Sequence, residues 1–175
     1  MKFPKSWYFF FCTIFFSCSQ VLDFEQVQAY ELNASYTVPL VYFEVALANF
    51  LKTEQVIEKS DVKFLNSFFI KDNLSKIELK FEVINELNRD INIQILLLDN
   101  EDSVLYSLET LKIAAKNLEY QYREVVAIAV HQEVKNLAGI KILINLEGPI
   151  GVNDISDTPV LRFKSGLTIH FGTAL

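Results

Sequence analysis

Cysteine is nearly absent from this chain. Its 175 residues include two, Cys12 and Cys18, and none follows them. A downstream domain therefore has no disulfide framework and must rely on a hydrophobic core. Histidine is as scarce: His131 and His170 are the only two, which excludes a three-histidine metal site. Five scattered glycines leave no loop able to cradle a phosphate, and no Gly-x-Ser-x-Gly, His-Glu-x-x-His or Cys-x-x-Cys pattern occurs. Positive charge is also in deficit, with 16 Lys and Arg against 22 Asp and Glu for a net charge of −6. Residues 1–17 hold Lys2 and Lys5 and no acid, so without them 14 basic groups face 22 acidic ones, near −8. Such a surface repels phosphate backbones, and no nucleic-acid partner is expected. What is present suits a folded domain: 51% hydrophobic and 22% charged residues, in a length that fits a leader and one domain.

The first residues read as a signal peptide over 1–17. Lys2 and Lys5 form a positive start, Trp7 to Phe16 is an apolar run broken only by Thr13, and small Ser17 precedes Cys18. Ten residues at 1.5 Å rise cannot cross ~30 Å of hydrocarbon, but they suit a signal core. The run Phe15-Phe16-Ser17-Cys18 resembles the lipobox of bacterial lipoproteins, with Phe15 where leucine is usual. The resemblance implies Cys18 as the lipidation site, joined to a diacylglyceryl group by a thioether and then acylated on its freed amine. It makes the membrane a partner through that lipid. Residues 18–28 would then be the lipidated cysteine and a short polar tether carrying Asp23 and Glu25, and 29–175 the domain. In composition the mature part resembles envelope lipoproteins of the Bacteroidota. That likeness places it in the cell envelope, with an outer-membrane anchor expected and the periplasmic or surface face open.

Period-two alternation dominates beyond the tether. Ile77, Leu79, Phe81 and Val83 share one face of a strand at 76–84. Asn85–Asp90 reads as a turn, Ile91, Ile93, Ile95 and Leu97 share a face of the next strand, and Asp99–Asp102 reads as a second turn before a strand at Ser103–Leu111. These three runs predict an antiparallel meander. Gly139–Glu147 alternates likewise. So does the C-terminal run, with Leu161, Phe163, Ser165, Leu167, Ile169 and Phe171 on one face and Arg162, Lys164, Gly166, Thr168 and His170 on the other. Tyr36–Phe50 is apolar almost throughout, fitting a central strand or two strands bent at Pro39. Glu124–Val130 fits a strand followed by a helical turn at 132–137, with a longer helix over 114–137 as the other reading. The fold expected is all-β: one antiparallel two-sheet sandwich, immunoglobulin-like, with a small barrel as the alternative.

Candidate sites are sparse. His131 with Glu133 could form an acid–base couple, but a surface role is favoured; His170 falls on the polar face of its strand. Asp99, Asn100, Glu101 and Asp102, and separately Asp154 and Asp157, cluster oxygens in turns without the order of a calcium loop, so plain turns are favoured. Tyr30, Tyr36, Tyr42, Tyr106, Tyr120 and Tyr122 could stack on a sugar, though tyrosines on strands more often pack at sheet surfaces. No cofactor and no enzymatic activity are expected. The reading favoured is a membrane-anchored envelope lipoprotein that holds an envelope protein partner, with a carbohydrate or small apolar ligand module as the alternative. Strand edges would serve such a role, and Ala29–Val38 and Val160–Phe171 are the candidates.

Overall fold

The structure is a computed structural model that describes residues 34–50, 55–148 and 159–172. Most of them lie in strands: β1 (Ser35–Ala46), β2 (Gln55–Asp61), β3 (Leu74–Asn85), β4 (Ile91–Leu98), β5 (Val104–Ser107), β6 (Leu111–Ile113), β7 (Tyr120–Ala127), β8 (Gly139–Leu146) and β9 (Val160–Phe171). Two short helices, α1 (Leu47–Phe50) and α2 (Phe68–Asn73), and 3-10 turns at Lys63–Asn66 and Gln132–Asn136 fill the connections. The helical turn expected at 132–137 is present. The longer helix over 114–137 is not; β7 occupies that stretch, since alternate residues from Tyr120 onward pack partly against the core.

The strands form two antiparallel sheets, ordered β1-β9-β3-β7 and β2-β8-β4-β5, with β6 also paired to β4. Each sheet turns one face inward. Ile77, Leu79, Phe81 and Val83 from β3 meet Ile91, Ile93, Ile95 and Leu97 from β4, and all are essentially inaccessible to water. Alternation puts one apolar row on each strand, and burying both rows against each other stabilises the sandwich. An aromatic row crosses the first sheet. Phe43 on β1 stacks on Phe163 of β9 at 5.1 Å, Phe163 meets Phe81 of β3 at 5.8 Å, and Phe81 meets Tyr122 of β7 at 6.3 Å. The two-sheet sandwich is the expected class, and the described strands close no barrel. Within that class the strand order is that of a jelly roll, which refines the immunoglobulin-like expectation: the chain changes sheets after β1, β2, β3, β6, β7 and β8.

That order corrects three local readings. First, β3 and β4 are not neighbours in a meander but lie in opposite sheets. Their alternation is identical, and alternation states that a face is buried without naming the sheet. Only the β4–β5 hairpin of the expected meander forms, with the Ser103–Leu111 strand divided into β5 and β6. Second, Tyr36–Phe50 is neither a central strand nor two separate ones. Up to Ala46 it is edge strand β1, with a register shift between Pro39 and Val41, where a residue lacking an amide hydrogen is tolerated, and Leu47–Phe50 is α1. Third, β9 is not an edge: it lies between β1 and β3, so Val160–Phe171 is spent on both sides.

Candidate functional site

The outer face of the first sheet carries the densest set of polar side chains. β3 contributes Glu78, Lys80 and Glu82, β7 contributes Arg123, and β9 contributes Lys164, Thr168 and His170; alternation aims all of them away from the core. Glu78 is nonetheless buried, its side chain 7% exposed. Arg123 Nη2 donates to its Oε2 at 2.6 Å and Lys80 Nζ lies 3.1 Å from Oε1, while His170 Nε2 stands 3.8 Å away. The Arg123 hydrogen bond holds the Glu78 carboxyl well below its ordinary range, at about 2, against the opposing effect of burial and with help from Lys80. Glu78 is therefore a fixed anion at neutral pH rather than a proton donor. Beside it, the Thr37 and Thr168 hydroxyls hydrogen-bond at 2.8 Å across the β1–β9 pair.

The same face holds a groove of about 540 Å³. Its floor is Gly166, which the register sets between Pro39 of β1 and Lys80 of β3. The missing side chain interrupts the row there, and Tyr42, Lys80, Glu82 and Lys164 wall the gap. A Cβ at Gly166 would meet nothing closer than the Val38 carbonyl oxygen at 3.6 Å, an ordinary contact. The glycine thus keeps the groove open without being demanded by packing.

The residues singled out from sequence scatter over the molecule. Cys18, the tether, Tyr30 and the 154–157 turn lie outside the described residues. His131 Nδ1 is 3.2 Å from Glu133 Oε1, in a pair exposed to solvent, with the His131 ring edge-on to Tyr106. Asp99 spends one carboxylate oxygen on the amides of Glu101 and Ser103, both at 2.8 Å, and Asp102 pairs with Lys59. That is the bonding of a hairpin turn. Among the described residues no group of three or more His, Cys, Asp or Glu side chains could hold a metal ion. The tyrosines divide into two sets. Tyr36 and Tyr42 are exposed on β1, whereas Tyr106, Tyr120 and Tyr122 pack partly against the core. Tyr106 and Tyr122 both donate to Glu124, at 2.9 and 2.7 Å, and this bond with burial lifts the Tyr122 hydroxyl to about 12. Glu78 was missed as a site residue because its alternation reads as solvent-facing; only the β3–β7 register brings Arg123 to it.

Of the two expected edges, β1 is the one on the outside of its sheet among the described strands, residues 29–33 lying outside the described residues. Phe171 N–H donates to the Ala34 carbonyl at 2.9 Å, which makes residues 34 and 171 a hydrogen-bonded pair. In an antiparallel ladder such pairs alternate with non-bonded ones. With the register Ser35↔His170 to Val38↔Leu167, Tyr36 and Val38 turn their amides toward β9, and Ser35 and Thr37 turn theirs to the open side.

No protein-family model matches the chain, and no curated protein matches it in sequence. Solved structures resemble it in fold. One is a candidate secreted protein of Parabacteroides distasonis ATCC 8503, a member of the Bacteroidota, with a TM-score of 0.51 and 13% identity over 66% of this chain and 37% of that one. Another is VP2 of the infectious bursal disease virus subviral particle, at TM-score 0.41 and 12% identity, covering 81% of this chain and 33% of that one. The chain thus matches about a third of either neighbour, and at such identities the first likeness speaks to the fold alone. Among the described residues no helix is long and apolar enough to cross a membrane.

Proposed function

We propose that this chain is a lipid-anchored protein of the bacterial cell envelope that holds a protein partner by strand addition, without turning over a substrate. The observation that carries this reading is β1. It is a 12-residue strand at the outside of its sheet, it offers the amides of Ser35 and Thr37 to the open side, and it follows the N-terminal segment directly. Signal peptide, lipidated Cys18, tether and docking edge then succeed one another along the chain. Main-chain pairing needs no special side chain, which fits a sequence without a catalytic motif. The ionised, ion-paired Glu78 also fits binding better than proton transfer. The fold likeness to a candidate secreted protein of a Bacteroidota member is in keeping with an extracytoplasmic place. A second reading, a small polar ligand such as a sugar, is favoured by the groove over Gly166 with Tyr42 on its wall.

The test compares Thr37→Pro with Thr37→Val in the full chain. Proline removes the outward amide, whereas valine removes only the hydroxyl shared with Thr168. Crosslinking in native membranes should recover the partner with wild type and Thr37→Val and lose it with Thr37→Pro, while the melting curves of the two variants stay close. Unchanged recovery with Thr37→Pro would place docking elsewhere. Metabolic labelling with a palmitate analogue should tag wild type and not Cys18→Ala; equal labelling of both sinks the anchor.

A further inference from the structure

The connection from β2 to β3 spends its apolar residues in two directions. Val62 and Leu65 point into the core at 1% and 2% exposure. Phe64, Phe68 and Phe69, on the 3-10 turn and α2, stand 43%, 82% and 66% exposed. A phenylalanine costs free energy when left in water, and three within six residues form an apolar cap of the kind that marks an interaction surface. Their place in the fold is specific. α2 runs straight into β3, the Asn73 carbonyl accepts from Gly172 N–H at 3.1 Å, and the Phe69 ring lies 6.0 Å from that of Phe171. Phe171 N–H in turn binds the Ala34 carbonyl. The exposed rings therefore sit at the end of the sandwich where the chain enters β1. Val130, 73% exposed, joins them there through the Ile128 N–H bond to Ser75.

We infer that this aromatic end, Phe64, Phe68 and Phe69, rests in the interfacial layer of the lipid bilayer that the anchor occupies. The inference rests on the proposed lipidation of Cys18. Residues 19–33 separate Cys18 from Ala34, a reach of at most about 58 Å at ~3.3–3.6 Å per residue. The lipid is therefore joined to the domain at its entry end, and the aromatic rings occupy that end. Charge narrows the surface further. Within 61–73 Lys63 and Lys71 are balanced by Asp61 and Asp72, with Lys63 Nζ 3.2 Å from Asp61. Attraction is thus apolar, and a zwitterionic bilayer suffices. Aromatic rings seated at the depth of the headgroups match this chemistry. An acyl chain and an apolar patch together also hold more firmly than either signal alone.

The experiment exploits tryptophan. The single Trp, Trp7, lies in the leader, so the mature lipoprotein has none, and Phe68→Trp supplies a unique reporter. Leu118→Trp, at an exposed position beside the Asn117 turn at the other end of β3, supplies a control. Each mature protein is reconstituted into phosphatidylcholine vesicles containing brominated lipid, floated, and read by emission. The expected result is co-flotation of both, with a blue shift and loss of emission for Phe68→Trp and neither for Leu118→Trp. Co-flotation with Phe68→Trp unquenched overturns the inference and leaves the anchor standing. A blue shift without quenching assigns the patch to a second protein copy and also overturns it, as does equal quenching of both reporters. Failure of either protein to float removes the anchor and the inference with it.

Discussion

The two ends of the sandwich solve the same problem, carrying the chain between sheets, by opposite chemistry. At the end where β3 passes to β4, a fully buried Asn85 does the joining. Its Nδ2 donates to the carbonyls of Arg89 and Ala114 at 2.8 and 2.9 Å, and its Oδ1 accepts from Leu87 N–H at 3.1 Å. Asp90 accepts from Ala115 N–H at 2.7 Å, and Glu86 meets Arg162 at 2.6 Å. Buried polar groups are tolerated when every partner is supplied, and a filled network fixes one path for the chain. At the other end, Val62 and Leu65 plug the core from the 3-10 turn, Ser67 Oγ accepts from Ile70 N–H at 3.3 Å, and three phenylalanines face water. One end spends its polar groups on holding the chain's path. The other leaves apolar surface that stability does not use, and that surplus is where function is to be sought.

Asn85→Ala is the sharpest test of this contrast. It strands two carbonyls and one amide in the interior, at roughly 1 kcal/mol or more each, so a loss of about 3 kcal/mol is expected in denaturant unfolding. A loss below 1 kcal/mol would mean that the network follows the crossover rather than sets it. Glu78, on the outer face of the first sheet between the two ends, should give a smaller effect that depends on pH. Its folded carboxyl titrates at about 2 against an ordinary 4.5. A depressed folded value contributes stability that is fully present above the unfolded pKa and is lost as pH falls from about 5 toward 2. The melting temperature of wild type should drop through that window, and Glu78→Gln, less stable at pH 7, should flatten the drop; identical slopes would show that other carboxylates govern it. Least of all, Phe68→Ser should shift stability by no more than about 0.5 kcal/mol, because the ring it removes is already in water. A larger loss would make the aromatic end structural and erase the contrast.

Inward rows were legible in most strands, because each buries one face and period two records that directly; β2 (Gln55–Asp61) was not among the strands read, and β7 begins at Tyr120 rather than Glu124. The inward rows of β3, β4, β8 and β9 are those the alternation picks out. Neighbours were not legible. β3 and β4 carry equivalent patterns and a short connection, which a hairpin satisfies as well as a crossover does. In the crossover Asn85 is fully buried and its side chain finds acceptors at Arg89 and Ala114, a meeting that no local pattern announces. The Thr168 face illustrates the same limit. Its polar alternation suggests an exposed edge, yet β1 and β3 flank it, and Thr168 is buried against Thr37. Of the candidate site, Gly166 and the charges on β3 and β9 are visible in sequence, but their meeting depends on register, as the Glu78–Arg123 pair does.

By itself, then, the sequence determined a strand-rich domain with one apolar face per strand, an excess of acidic residues and no cysteine after Cys18 to staple the core. These are local properties, set by side-chain chemistry and a two-residue period. Tertiary structure alone decided that β9 is central and β1 the free edge, that Glu78 is clasped by Arg123, and that Phe68 and Phe69 gather where the chain enters the domain. Each of these joins residues far apart in the chain, and a two-residue period carries no information about which strand becomes the neighbour of which.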